Sequence, residues 1–277
     1  MSRRLPFVLH IAAAALVCGL AACTRGPVEP ADTPPAGRTS ATRNVAIAAA
    51  SDLRYALDEF LVGFRTRYPD VDVTATYGSS GNFFAQLSNR APFDVFLSAD
   101  SAYPEQLVAE GLGETESIFP YARGHIALWV RNDSPLDLDA LGPQALVQES
   151  VRKVAIANPR HAPYGRAAEA AIQSLGLESL LESRLVLGDT VIQAAQFVES
   201  GAADIGIIGL SLTRAPALRD QGRALPLDES LHPPIEQAGL ILPWAADREA
   251  AETLRKELLG RHGREILSKH GLTPPGD

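Results

Sequence analysis

Tyr77-Gly78-Ser79-Ser80-Gly81-Asn82 joins an apolar run typical of a strand, residues 71–76, to a helical pattern. Ser51 holds the equivalent position after a second apolar run, Val45-Ala46-Ile47-Ala48. Small hydroxyl residues and glycine at a helix start leave several backbone N–H groups free to bind an anion. Neither turn contains Lys or Arg, so the sequence predicts a ligand that is held by neutral donors and helix dipoles.

Strand-like runs and helical patterns alternate along the chain. Strands are predicted at 44–49, 71–76, 93–99, 126–130, 154–157, 185–187, 205–208 and 239–242, and helices at 53–68, 82–90, 103–110, 165–175, 191–200 and 247–270. This alternation predicts an α/β fold with mostly parallel sheets flanked by helices. Because there are more strand–helix units than one sheet needs, we predict two lobes with a ligand cleft between them. Lobe 1 is predicted to comprise residues 44–123 and 237–277, and lobe 2 residues 124–236.

The N-terminal residues are typical of an export signal. Arg3 and Arg4 precede an apolar segment that is too short to span a bilayer easily. That segment ends in Leu20-Ala21-Ala22-Cys23, which resembles a bacterial lipobox. The resemblance implies a signal peptide at 1–22 and a lipid anchor on Cys23, at a periplasmic or cell-surface location. The alternative is an ordinary signal peptide in which the Cys stands by chance.

Composition limits the remaining possibilities. Residues 23–43 are rich in Pro, Ala, Thr and Gly, which predicts a disordered tether. The formal net charge is −8, and no basic run interleaved with aromatic residues occurs, which argues against nucleic-acid binding. The two cysteines are Cys18, which cleavage would remove, and Cys23. The mature chain is therefore expected to have no thiol for a disulfide, a nucleophile or a metal ligand.

Four strand-to-helix junctions share the chemistry of the two opening turns. They are Ala50-Ser51-Asp52, Ser79-Ser80-Gly81, Pro159-Arg160-His161-Ala162-Pro163-Tyr164-Gly165 and Gly188-Asp189-Thr190-Val191. Two junctions from each lobe can close on a small oxyanion from both sides. Dense donors without acceptors select a fully deprotonated dianion over one that still carries a proton. Taken singly, Ser51, Ser80 and Thr190 are ordinary helix N-caps, so the prediction depends on the four junctions together.

These stretches resemble the molybdate-binding proteins of bacterial molybdate ABC transporters, which are type II periplasmic binding proteins. The similar motifs extend over the whole folded body: Ala48-Ala-Ala-Ser-Asp-Leu53, Tyr77-Gly-Ser-Ser-Gly-Asn82, Ala91-Pro-Phe-Asp-Val-Phe-Leu-Ser-Ala-Asp100, Ala157-Asn-Pro-Arg-His-Ala-Pro-Tyr-Gly165 and Val191-Ile-Gln-Ala-Ala-Gln-Phe-Val-Glu-Ser-Gly-Ala-Ala-Asp-Ile-Gly206. The resemblance implies a monomeric two-lobe receptor that is not an enzyme and has no cofactor. It would pass molybdate, and tungstate as well, to ABC permease subunits.

The resemblance also implies the ligand set. The family's two hydroxyl ligands fall on Ser51 and Ser80, the third-loop ligand on Tyr164, and backbone donors on Asp52 and Val191. Some members place their tyrosine after the 205–208 strand, where this chain has Gly209, and this chain resembles those with a Pro-Tyr-Gly turn. Other members have a neutral residue in place of Asp52. Because an inward carboxylate would repel a dianion, we expect Asp52 to point outward as a first-turn acid.

Two alternatives remain open from the residues. The same fold could bind another oxyanion or a small organic acid, which would call for an arginine clamp from Arg54, Arg160 or Arg166. A remote alternative is a serine hydrolase that uses Ser51 or Ser80 with His161, although no Gly-x-Ser-x-Gly motif surrounds either serine.

Two nearby features are given structural roles instead. His161 is expected to orient its loop. Asp94 alternates with apolar residues in a strand pattern, so it is expected to tie down a neighbouring loop.

Overall fold

Two five-stranded sheets with flanking helices build the part of the chain that this computed structural model describes, residues 43–276. These residues belong to one compact unit. The predicted signal peptide, Cys23 and all of the predicted tether except Arg43 lie outside the described residues. Arg43 is the first residue of a strand, so the folded chain begins one residue earlier than predicted.

Ten strands form the two sheets in the described range. Sheet 1 has the order β2-β1-β3-β10-β4 and sheet 2 the order β7-β6-β8-β5-β9. Their bounds are β1 Arg43–Ala50, β2 Val71–Gly78, β3 Val95–Ser98, β4 Ile118–Gly124, β5 Ile126–Arg131, β6 Val154–Ala157, β7 Leu185–Gly188, β8 Ile205–Gly209, β9 Gly222–Pro226 and β10 Ile235–Ile241. We use lobe 1 for sheet 1 with its helices, and lobe 2 for sheet 2 with its helices.

The α-helices of the same range connect and cover these strands. They are α1 Arg54–Arg67, α2 Ser80–Leu87, α3 Ala102–Ala109, α4 Leu138–Leu141, α5 Pro163–Ser174, α6 Glu178–Leu181, α7 Val191–Glu199, α8 Leu210–Arg214, α9 Pro216–Arg219, α10 Arg248–Leu259 and α11 Arg261–Lys269. A 3₁₀ turn, Ser51–Leu53, leads directly into α1. None of these helices has both the length and the apolar composition needed to cross a membrane. The single helix expected at 247–270 is two helices, because the chain leaves the helical conformation at Gly260.

Both sheets are mixed, whereas the sequence predicted mostly parallel ones. In sheet 1, β1 pairs in parallel with β2 and β3, but β10 runs antiparallel to β3 and β4. Sheet 2 repeats this arrangement, with β5 antiparallel to β8 and β9. The prediction missed β4 and β9, which contain Pro120 and Pro226 and lie at sheet edges, where a strand tolerates proline.

Alternation along β1 places apolar side chains on both faces of sheet 1. Ile47 and Ala49 join a buried cluster with one face of α1, whereas Ala48 joins a second cluster with Phe83 of α2. Successive strand residues point to opposite faces, so helices cover the sheet on both sides. In open α/β sheets ligands generally bind at the loops that follow the carboxyl ends of the strands.

Two segments connect the lobes. The chain passes from β4 to β5 at His125 and returns between β9 and β10, at 227–234. The return strand β10 lies beside β3 in sheet 1, so the last two helices pack on lobe 1. The lobe bounds predicted from the sequence, 44–123 with 237–277 and 124–236, stay a prediction.

Candidate functional site

All five residues proposed as ligands line one small cavity between the lobes. The complete lining is Ala50, Ser51, Asp52, Gly78, Ser79, Ser80, Ala99, Ala162, Pro163, Tyr164 and Val191. The cavity has a volume of about 10 Å³, close to the space of one water molecule. No Lys or Arg belongs to this lining. The arrangement therefore suits a very small ligand that neutral donors hold.

Ser51 and Ser80 keep their hydroxyl hydrogens available. The Ala99 N–H donates to Ser80 Oγ over 3.0 Å, which leaves the Ser80 hydroxyl free to donate elsewhere. Within residues 43–276 no protein group pairs with the Ser51 hydroxyl. Neither side chain caps its helix, so the interpretation of these serines as N-caps is wrong. It holds for Thr190, whose Oγ1 accepts from the Gln193 N–H.

Val191 lines the cavity from lobe 2, and its side chain has no hydrogen-bond donor. It is the first residue of α7, and Thr190 precedes it in extended conformation. The first N–H groups of a helix have no partner inside that helix. The Val191 N–H is thus placed at the cavity from lobe 2, opposite the serine-bearing turns of lobe 1.

The expectation that Asp52 points outward is wrong. Asp52 is buried, with only 1% of the residue exposed. Oδ2 accepts one hydrogen bond from the Tyr164 hydroxyl at 2.9 Å and another from Gln237 Nε2 at 2.8 Å. Oδ1 is buried with no hydrogen-bond partner among the described residues. Asp52 is the second residue of the 3₁₀ turn Ser51–Leu53, all three residues of which are buried, so its first-turn position does not place it in solvent.

Burial dominates the electrostatics of this carboxyl. Desolvation raises the pKa of Asp52 from 3.8 to about 6, although the hydrogen bonds from Gln237 and Tyr164 and its own backbone N–H oppose the rise. Desolvation also raises the pKa of Tyr164 and of Tyr121 well above the ordinary value, and the neighbouring Asp52 charge adds to both. Both phenols are therefore neutral hydrogen-bonding groups at physiological pH.

Gln237 is a site residue that the sequence reasoning missed. It lies on β10, is 1% exposed, and its Nε2 donates both to Asp52 and to the Tyr164 oxygen, the latter at 3.1 Å. Gln237 precedes the apolar run 238–242, and this polar residue at the edge of a strand pattern is a signal that the sequence does contain. Its partners, however, are separated from it by 73 and 185 residues, so the sequence alone does not identify them.

Other contacts join the lobes around the cavity. The Gly81 N–H donates to the His161 carbonyl oxygen at 2.9 Å, and Ser79 Oγ lies 2.9 Å from His161 Nδ1. Arg166 of lobe 2 forms an ion pair with Asp100 of lobe 1 and donates to the Tyr103 hydroxyl at 3.2 Å. The expectation that His161 orients its loop is thus confirmed, since both its ring and its backbone anchor that loop to lobe 1.

The structure removes the support for an arginine clamp. Arg166 is paired with Asp100, the Arg54 guanidinium lies 5.7 Å from the centre of the Tyr77 ring, and Arg160 is exposed. None of the three lines the cavity.

The serine–histidine hydrogen bond that a hydrolase would need is also missing for Ser51 and Ser80 within the described chain. His161 contacts Ser79, and neither Ser51 nor Ser80 is bonded to it within the described chain. The same range contains no cluster of His, Cys, Asp or Glu that could hold a metal ion.

The stretch that includes Asp94 has the expected structural role. Asp94 Oδ2 accepts from the Ala46 N–H at 2.6 Å, and Oδ1 accepts from the Ala246 N–H at 2.7 Å. The carboxylate therefore ties β1 to the loop that precedes α10. Ser98 closes the next turn by donating to the Asp100 carbonyl at 2.7 Å. Asp94 thus stabilises lobe 1 and is not among the residues that line the cavity.

Comparison with known proteins identifies similar chains. A family model described as bacterial extracellular solute-binding protein matches residues 45–273. The molybdate-binding protein of Azotobacter vinelandii is 36% identical over 199 residues, which cover 72% of this chain and 78% of that protein. The molybdate-binding protein of Rhodobacter capsulatus is also 36% identical over 199 residues, covering 72% of this chain and 76% of that protein.

A solved structure supports the same relationship. The periplasmic molybdate-binding protein of Azotobacter vinelandii superimposes with a TM-score of 0.78 at 30% sequence identity. The superposition covers 83% of this chain and 99% of that protein. The similarity thus extends over both lobes and the cavity between them.

Proposed function

Because the chain belongs to the bacterial extracellular solute-binding protein family, we propose that it is an exported receptor that captures molybdate, and also tungstate, for an ABC importer. The observation that carries this proposal is the cavity itself. Helix starts from both lobes bring hydroxyl and backbone N–H donors to one point, and no Lys or Arg lies among the lining residues. Relatives with molybdate as their named ligand support the choice of anion.

The proposed ligands are the hydroxyls of Ser51, Ser80 and Tyr164 and the backbone N–H groups of Asp52 and Val191. A hydrogen bond to a charged acceptor contributes about 1.5–3 kcal/mol net. Roughly five to seven such bonds, less the cost of association, correspond to micromolar or tighter affinity. The bonds form with oxygen atoms of the anion, and no protein group ligates the metal.

Cleft closure is the proposed mechanism, and it involves no covalent chemistry. The contacts of His161 with Ser79 and Gly81 bring the lobes together over the cavity, which removes water from the anion. A protonated oxyanion would require an acceptor, whereas the hydroxyl and backbone N–H groups proposed as ligands are donors; the carboxyl of Asp52 is the exception in the lining. Discrimination from sulfate, which is also a tetrahedral dianion, would come from cavity size.

The proposal extends to the cellular setting. A lipid anchor on Cys23 would hold the protein at a membrane, in the periplasm or at the cell surface. Residues 23–42 would be a flexible tether between the anchor and the folded lobes. A monomer would then deliver the anion to the permease subunits. The relatives are solute-binding proteins, and we propose that this chain likewise has no catalytic activity and no cofactor.

A panel of anions tests the proposal. Thermal unfolding would be followed with molybdate, tungstate, sulfate, phosphate and chromate at equal concentration. Molybdate and tungstate are expected to raise the melting temperature most, because a ligand that binds only the native state stabilises it by mass action. Absence of any molybdate-dependent shift would remove the proposal, and a larger shift with sulfate or phosphate would reassign the ligand.

A further inference from the structure

The Tyr164 hydroxyl, which is proposed to donate to the ligand, donates to Asp52 instead. The phenol hydrogen points to Asp52 Oδ2 when that carboxyl is ionised, since an ionised carboxylate only accepts hydrogen bonds. The phenol oxygen meanwhile accepts from Gln237 Nε2. With this bonding, Tyr164 has no hydrogen left for an oxyanion in the cavity.

The surroundings of Asp52 favour its neutral form when a dianion is present. From the elements packed against it come the phenols of Tyr164 on α5 and Tyr121 on β4, and the amide of Gln237 on β10. From α8, the Ser211 hydroxyl donates to the Asp52 carbonyl oxygen at 2.9 Å. No Arg, Lys or His of the described chain pairs with the carboxyl, and the nearest in sequence, Arg54, lies over the Tyr77 ring. A buried carboxylate that lines the cavity without a paired cation would repel a dianion bound there.

We propose that Asp52 is a proton switch, so that the receptor takes up one proton from solvent when it binds the dianion. The proton adds to Oδ2, which then donates to the Tyr164 oxygen, and the hydrogen bond between the two residues reverses direction. The phenol hydrogen is released and turns toward an oxygen of the anion. No proton passes to the ligand. This inference rests on the proposed function of the same cavity.

Reversal of the bond needs no movement of heavy atoms. Tyr164 would still accept from Gln237, would accept from Asp52 and would donate to the ligand, which uses its full hydrogen-bonding capacity. The elevated pKa of Asp52, about 6 without a ligand, makes the neutral carboxyl accessible near physiological pH. A bound dianion raises that pKa further, because like charges oppose ionisation. Affinity should therefore fall as the pH rises.

Calorimetric titration of molybdate into the full-length protein tests the switch. Measurements between pH 6.5 and 8.5 would be repeated in buffers with different ionisation enthalpies, which count the protons taken up. We expect uptake approaching one proton and a Kd that rises by about tenfold per pH unit in the upper half of this range. Asp52→Asn should abolish both the uptake and the slope, since its amide can donate to the Tyr164 oxygen at every pH.

Two control variants test whether the proton is taken up by the Asp52 carboxyl and not by another group. Asp72→Asn makes the same substitution at an exposed position on β2 and should retain the slope. His161→Gln should also retain the slope, which would exclude the histidine at the cavity rim as the group that takes up the proton.

Binding by the unaltered protein without proton uptake would overturn the switch while leaving the proposed function intact. Failure of the unaltered protein to bind at any pH would instead count against the proposed function. Should Asp52→Asn fail to fold, the proton count of the unaltered protein still decides.

Discussion

The Tyr164 hydroxyl oxygen lies 2.9 Å from Asp52 Oδ2, and this buried hydrogen bond joins the two lobes beside the cavity. Both residues belong to helix starts that the sequence singles out as anion-binding junctions. Asp52 therefore places a buried carboxyl at one of those junctions, although a site that binds an anion through neutral donors does not need one. Substitutions in this contact and in its neighbours should change the stability of the protein, its affinity for the ligand and the closure of the lobes.

Replacing Asp52 with Asn should stabilise the protein at neutral pH. The native state holds the proton of Asp52 up to about pH 6, whereas an ordinary Asp releases it near 3.8. Between these values the native state binds more protons than the unfolded state, so the free energy of unfolding falls as the pH rises. At about 1.4 kcal/mol per pKa unit, the loss is ~3 kcal/mol by pH 7.

Urea unfolding at pH 4, 5.5 and 7 would measure this effect. The stability advantage of Asp52→Asn over the unaltered protein should be small at pH 4 and grow toward pH 7. Asp72→Asn should show no such growth, because Asp72 is exposed. An Asp52→Asn advantage that is constant across the three pH values would contradict the assigned titration.

Removing the Ser80 hydroxyl should weaken molybdate binding at least severalfold. Ser80 lies 1% exposed at the start of α2, and its oxygen already accepts from the Ala99 N–H, so its hydrogen is free for the ligand. Calorimetry on Ser80→Ala would give the ratio of Kd values. Ser183→Ala, an exposed serine far along lobe 2, is the matched control. An affinity for Ser80→Ala equal to that of the control would argue against the site.

A methyl group at Gly81 should hinder closure of the lobes. A Cβ there would lie 2.7 Å from the His161 carbonyl oxygen and 2.7 Å from the Tyr103 hydroxyl, closer than real Cβ atoms come. The first of these atoms belongs to lobe 2. We expect Gly81→Ala to raise the Kd for molybdate by tenfold or more while changing the melting temperature of the ligand-free protein little. A variant that binds as tightly as the unaltered chain would show that the close approach of Gly81 to His161 is not needed for ligand binding.

The Arg166–Asp100 ion pair should slow ligand release. It connects α5 of lobe 2 with the turn before α3 of lobe 1, and the Arg166 guanidinium also lies 5.6 Å from the centre of the Tyr103 ring. Partly exposed ion pairs and cation–π contacts each contribute about 0.2–1 kcal/mol. Arg166→Gln should therefore raise the dissociation rate several-fold, with little change in the association rate, in stopped-flow measurements.

A double-mutant cycle with Asp100→Asn would isolate the pair. If the two residues act together across the cleft, the effects of the single variants should not add. Strict additivity would mean that each acts within its own lobe. High salt should reduce the difference between Arg166→Gln and the unaltered protein, because exposed charges are screened.

Most individual elements could be predicted from the sequence because their signals are local. The apolar run of β1 and the face of α1 that holds Leu57, Phe60 and Leu61 are visible as periods of two and of 3.6 residues. The edge strands β4 and β9 were missed, since each contains a proline and owes its conformation to a neighbouring strand. Without them the sheets appeared mostly parallel, although half of the strand pairings in each sheet are antiparallel.

The sequence by itself determined the α/β architecture, the family and the four junctions that meet at the cavity, because periodicity, turn chemistry and short motifs act over a few residues. Only the tertiary structure decided the direction of Asp52 and the participation of Gln237. These depend on partners 112 and 185 residues away, and the free energy of burying a carboxyl is set by everything that packs around it. The local helix-start preference for an outward acid was outweighed by that long-range environment.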